Sequence, residues 1–207
     1  MEKDWLIRGN IPVRNKETGN HLLDLSLHYN HSTDDDIHHK PGNNLSMLGK
    51  GVRKIGGCLF DIRGIVQLSG RNSLQITTID YPDSAGPVKA GFMLKNLHFL
   101  HASAWNIDDE TVEIGEYLIR YDDESVERIP LVYRENILDW WGKPGEEHQK
   151  AAWRGINERT LSVSHHLRLF HLCWENPRPA SIVREIELKS FNTGPGIMLV
   201  AITADPA

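Results

Sequence analysis

Phe60-Asp61-Ile62-Arg63-Gly64-Ile65-Val66-Gln67-Leu68 is the stretch whose reading decides the fold. Phe60, Ile62, Val66 and Leu68 alternate with Asp61, Arg63 and Gln67, so apolar and polar side chains face opposite sides of an extended chain. Gly64 in its middle signals a bulge or a close packing contact. The same period of two recurs outward from it in both directions. Leu23, Leu25, Leu27 and Tyr29 alternate with Asp24, Ser26 and His28, and Phe92 to His101 reads as a more buried strand. Val112, Ile114 and Leu118 alternate with Glu113 and Tyr117. Tyr121-Asp122-Asp123-Glu124-Ser125 then predicts a hairpin tip before a strand from Val126 to Tyr133. Leu161 to Trp174, Ile182 to Phe191 and Ile197 to Thr203 complete the series, with a turn at Gly194-Pro195-Gly196. About nine or ten short strands predict an all-β fold, a two-sheet antiparallel β-sandwich or jelly roll. Little helix is expected: a turn or two at Asn44 to Leu48 and at Glu135 to Trp141. Residues 1–207 read as one domain, with 1–20 as a strap or edge strand.

The 207 residues bury a substantial core without disulfides. A net charge of −5 with no long basic block argues against nucleic acid and anionic membrane as partners. No signal peptide and no membrane-spanning apolar run is expected, which leaves the compartment open, an extracytoplasmic parent protein included. Cys58 and Cys173 sit in apolar runs and predict buried free thiols, with a single bridge as the other reading.

The enzyme signatures that can be read locally are missing: there is no Gly-rich phosphate loop, no Gly-x-Ser-x-Gly elbow and no His-Glu-x-x-His. No local pattern marks a glycosidase carboxylate pair either, so the chain is expected not to be an enzyme. Eleven histidines invite a metal. On a strand, however, His98 and His101 point to opposite faces, and His165 and His171 lie roughly 20 Å apart. No cofactor and no histidine metal site is therefore expected. Asp34-Asp35-Asp36 and Asp108-Asp109-Glu110 offer carboxylates for a structural calcium, against the reading of solvated loops.

Tryptophans are the conspicuous residues of the second half. Trp141, Trp153 and Trp174 lie at strand ends or in loops beside Arg154, Asn157, Glu175 and Asn176. Flat rings next to forked donors and acceptors suit a flat, hydroxyl-rich ligand. The competing reading makes most of these rings core, and makes Trp174-Glu175-Asn176-Pro177-Arg178-Pro179 a rigid corner. Of the pair Trp140-Trp141, Trp141 is expected to face solvent.

Taken together, several segments resemble one module. They are Leu23-Asp24-Leu25-Ser26 with Tyr29-Asn30, the Phe60 to Leu68 stretch, Leu97-His98-Phe99-Leu100-His101 and Ile114-Gly115-Glu116-Tyr117. Ile129-Pro130-Leu131-Val132-Tyr133, Asp139-Trp140-Trp141, Ala152-Trp153-Arg154-Gly155-Ile156-Asn157 and the Trp174 to Pro179 segment complete the set. The chain, from about residue 20 to 204, resembles the galactose-binding-like β-sandwich module of bacterial multidomain proteins, some of which carry kinase, FecR-like or glycosidase domains. It departs from that pattern at Ile37-His38-His39, where a Trp before a His is expected. The resemblance implies noncatalytic, carbohydrate-binding-module-like recognition of a glycan. A structural or protein–protein interaction module, oligomeric or not, is the alternative, and a glycoside-cleaving enzyme the third reading.

Overall fold

The computed structural model describes residues 10–105, 111–145 and 150–207. Strands hold 48% of the residues and helices 9%, which makes the protein all-β. A hairpin of β1 (Gly51–Ile55) and β2 (Cys58–Ile62) stands apart as a two-stranded sheet. After β3 (Val66–Gln67) and a short helix α1 (Arg71–Ile76) comes β4 (Ser84–Ala104), whose 21 residues organise everything else. Then follow β5 (Glu113–Tyr121), β6 (Val126–Val132), β7 (Trp141–Gly142), β8 (Trp153–Gly155) and α2 (Glu158–Ser162). The chain ends with β9 (His166–Glu175), β10 (Ile182–Ser190) and β11 (Gly196–Pro206).

The first half of β4 pairs with β10, and its second half pairs with β11 on one side and β9 on the other. Gly91, at φ +81°, lies just before the change of partners, in a conformation glycine adopts without steric cost. From Phe99 to Ala104 β4 is buried on both faces, and β5 packs over one of them. The Tyr117 ring of β5 stacks on Phe99 of β4 at 3.9 Å between centroids. Phe60, Tyr29, Leu25 and Ile202 extend the same core. No helix among the described residues is long and apolar enough to cross a membrane.

Several expectations need correction. Leu23 to Tyr29 is not a strand. Asp24 Oδ1 accepts the Ser26 N–H at 2.9 Å, the N–H groups of His28 and Tyr29 both reach the Leu25 carbonyl, and the segment turns. The alternation still buries Leu23, Leu25 and Tyr29, while Leu27 stands 78% exposed. Glu135 to Trp141 forms turns and isolated bridges rather than helix. The expected strand from Leu161 begins instead with the last turn of α2, and strand geometry starts at His166. Ser46–Leu48 does form a 3-10 turn. Residues 10–20 hold no strand; they form a strap tied down by Arg14, which donates to Asp61 Oδ2 at 3.2 Å and to the carbonyls of Gly19 and Leu22. The cysteines are free, as one of the two readings had it, but they are not buried: Cys58 is half-buried and Cys173 exposed. Gly64 is a close packing contact, since a Cβ there would meet the His31 carbonyl oxygen and the Tyr29 ring at 2.8 Å.

Candidate functional site

At the end of β4 the chain delivers Trp105, at φ +62°. Alongside it, the 138–142 segment threads between β4 and β9. Ser103 N–H donates to the Leu138 carbonyl and Trp140 N–H to the Ser103 carbonyl, both at 2.8 Å; the Trp140 carbonyl in turn accepts from Arg168 N–H. This extended threading sends neighbouring side chains to different sides. Trp140 is buried at 3% exposure and Trp141 is half-buried. Asp139 Oδ1 accepts the Trp141 N–H at 2.7 Å and holds the segment's shape.

A cleft of about 400 Å³ opens here, a size within the range of small-ligand sites. Trp105, Trp140, Trp141, His38 and His165 provide its ring walls, and Asp139, Lys143 and Asn43 its polar groups. The rings form a continuous series. His38 lies 4.2 Å from Trp105 and 6.0 Å from Trp140 between centroids; Trp140 lies 6.2 Å from Trp141, and Trp141 5.9 Å from His165. Tyr81 and His31 carry the series inward beneath Trp105.

Polar atoms below this series lack protein partners. Among the described residues, five buried side-chain atoms make no hydrogen bond: His31 Nδ1, Thr33 Oγ1, His38 Nε2, Gln67 Oε1 and Ser103 Oγ. One of these residues lines the cleft, and three touch residues at or next to its wall. His38 lines it, His31 touches Tyr81, Ser103 pairs with Asp139, and Gln67 neighbours both His38 and the Gly196 backbone under Trp105. Gln67 raises the basicity of His38 slightly without forming a bond of acceptable geometry to it. Burial dominates, pushing His38 down to about 3 and His31 to about 4, so both rings are neutral at neutral pH. Burial likewise raises the Tyr81 hydroxyl, which lies 2.8 Å from His31 Nε2.

Of the residues singled out from sequence, Trp141 lines the cleft, and the other six do not. Asn176 is buried, and its amide is fully occupied: Oδ1 accepts from Tyr121 Oη and Arg178 N, and Nδ2 donates to the carbonyls of Leu94 and Arg178. It braces a corner and has nothing left for a ligand. Asn157 caps α2, accepting from Thr160 N at 2.8 Å and donating to Asn44 O at 3.0 Å. Trp153 packs half-buried over Gly155, exposed Arg154 sits 2.7 Å from His166 Nε2, and half-buried Trp174 and exposed Glu175 lie on β9 opposite Leu97 and Asn96. Sequence reasoning missed Trp105, His38 and His165 as companions of Trp141, because they come from segments far apart in the chain. The left-handed backbone at both His38 and Trp105 shows that tertiary packing sets those ring positions.

The Asp34-Asp35-Asp36 run does not gather into a calcium site. Asp34 pairs with Lys50, Asp35 accepts from Ser32 N and Asp36 from Gly42 N. The second acidic run, Asp108-Asp109-Glu110, lies outside the described residues. No family model matches the chain, and neither curated proteins nor solved structures gave a match.

Proposed function

We propose that this chain is a noncatalytic carbohydrate-binding module, a jelly roll of the galactose-binding-like type, and that the cleft of Trp105, Trp140 and Trp141 is its site. The antiparallel sheet folded over itself supports the jelly-roll reading. One observation carries the function: the aromatic walls of the cleft include His38, whose buried Nε2 has no hydrogen-bond partner. A sugar ring answers both, since its C–H face stacks on the rings and its hydroxyls are donors and acceptors. A buried polar atom left unpaired costs about 1–3 kcal/mol, which a hydroxyl or ordered water at the cleft floor removes. Asp139, Asn43 and Lys143 line the cleft beside the rings. Glycoside cleavage uses two facing carboxylates, and among the described residues the cleft is lined by one, Asp139, which favours binding over turnover.

The test is a glycan and polysaccharide panel read by intrinsic tryptophan fluorescence and confirmed by calorimetry. A saturable ligand is expected whose affinity falls roughly tenfold or more in Trp141→Ala, a loss of about 1.4 kcal/mol or more. Silence across the panel from a folded protein, or a ligand indifferent to Trp141→Ala, sinks this reading and returns the chain to a structural or protein-interaction role.

A further inference from the structure

A second cluster lies roughly 20 Å back along β4 from the cleft. The ladder sets Thr203, His98 and Cys173 in one row across β11, β4 and β9, and His171 follows two residues from Cys173 on the same face. The β1–β2 hairpin covers this face. Thr203 Oγ1 donates to the Leu59 carbonyl at 2.6 Å and holds Cys58 above the histidines. His98 Nδ1, His171 Nε2 and Cys58 Sγ then all lie within 4.8 Å of one another.

Each histidine has a neighbour on its far side. His98 Nε2–H donates to Asp205 Oδ2 at 2.9 Å, and Asn96 holds the same oxygen at 3.1 Å. His171 Nδ1 lies against the Gly56 backbone. A neutral imidazole has one donor and one acceptor nitrogen, so His98 Nδ1 carries a lone pair and meets His171 Nε2 at 2.9 Å, a hydrogen bond while His171 Nε2 holds the proton and a two-nitrogen ligand edge when its proton sits on Nδ1. The Asp205 carboxylate behind His98 is the kind of outer support that metal-bound histidines carry.

We propose that Cys58, His98 and His171 bind one zinc ion, and that Asp205 is a positioning residue acting through His98. One thiolate and two imidazoles suit zinc, a borderline-soft ion, better than calcium or magnesium. Tetrahedral bonds of about 2.1 Å require the two nitrogens to separate only to about 3.3 Å. The cluster is half-buried, so a fourth position is open to water or to Cys173, which directly opposes His98 in the ladder. The ion would staple the β1–β2 hairpin, which as a two-stranded sheet is marginal by itself, to the main sheet. Binding displaces the Cys58 thiol proton, so affinity rises with pH.

The test uses the full chain, stripped by a chelator and kept reduced by a phosphine. Cobalt(II) titration is expected to give one equivalent of tetrahedral ion with a thiolate charge-transfer band, and zinc should displace it. Cys58→Ser abolishes that band, or cuts it to that of one thiolate where Cys173 is the fourth ligand; His171→Ala weakens binding at least a hundredfold, and Asp205→Asn weakens it roughly 10–100-fold while keeping the band. X-ray absorption of the wild-type zinc form is expected to show one sulfur, or two if Cys173 joins, and two imidazoles, a readout that needs no variant to fold. An octahedral cobalt spectrum, a charge-transfer band that Cys58→Ser leaves undiminished, or a zinc shell without sulfur overturns the proposal.

Discussion

Two buried polar regions of this protein are built on opposite terms. Beneath the N-terminal strap, Arg63 is 2% exposed and each of its three guanidinium nitrogens donates a hydrogen bond. Nε donates to Asp61 at 2.9 Å, the two terminal nitrogens donate to Asp24 and Ser26, and the plane lies 5.5 Å over the Tyr29 ring. Arg14 closes the network from the strap side. Beneath the cleft, by contrast, His31, His38, Gln67 and Ser103 each keep a buried atom without a partner. A complete network specifies the fold, because losing one member strands the others. An incomplete one beside an open cleft is the arrangement a polar ligand completes, and it is the better guide to function.

The largest effect expected from breaking this contrast is Arg63→Ala. It removes the partner of buried Asp61 and unpins the Asp24–Tyr29 turn, and should cost about 3 kcal/mol in urea unfolding, the low end for a broken buried pair because Arg14 still faces Asp61. Acid should separate the two regions by pH. His31, at about 4, and His38, at about 3, sit below the ordinary 6.5, so the unfolded chain binds protons that the folded chain refuses. The cleft therefore loses stability as pH falls from 6.5 toward 4. Asp24 behaves otherwise: burial raises it, but the hydrogen bonds from Ser26 and Arg63 outweigh this and hold it at about 2 against an ordinary 3.8. Its contribution is lost only as pH falls below about 4 toward 2. Hydrogen exchange across a pH series should show residues around Trp105 and Trp140 opening before those around Arg63; the reverse order would remove the contrast. The smallest effect is Ser103→Ala. Because Ser103 Oγ is buried and unpaired, its loss should leave stability unchanged or raise it by up to ~1 kcal/mol, whereas a drop of that size in thermal unfolding would reveal a structural partner.

The strand pattern was largely legible because a period of two survives wherever one face is buried. It misled at Leu23 to Tyr29, where the same alternation is served by a turn that the Asp24 side chain nucleates. At the candidate cleft only Trp141 was legible, since its neighbour Trp140 took the core side of the threaded segment. Asn176 and Asn157 looked like ligand contacts by residue type, and their amides turn out to be occupied by a corner and a helix cap. The histidine argument was right within each strand and incomplete between strands. His98 and His101 do diverge, with His101 buried against Tyr117, yet His98 meets His171 of a different strand.

The sequence by itself determined the all-β character, the hairpin at residues 121–125 and the inward faces of most strands, because these depend on side-chain period and turn chemistry within a few residues. Only the tertiary structure decided which strands are neighbours. Pairing of β4 with β9 joins His98 to His171, and passage of the 138–142 segment beside the end of β4 joins Trp141 to Trp105 and His38. Both sites are contacts across large chain separations, and no local period encodes such a contact.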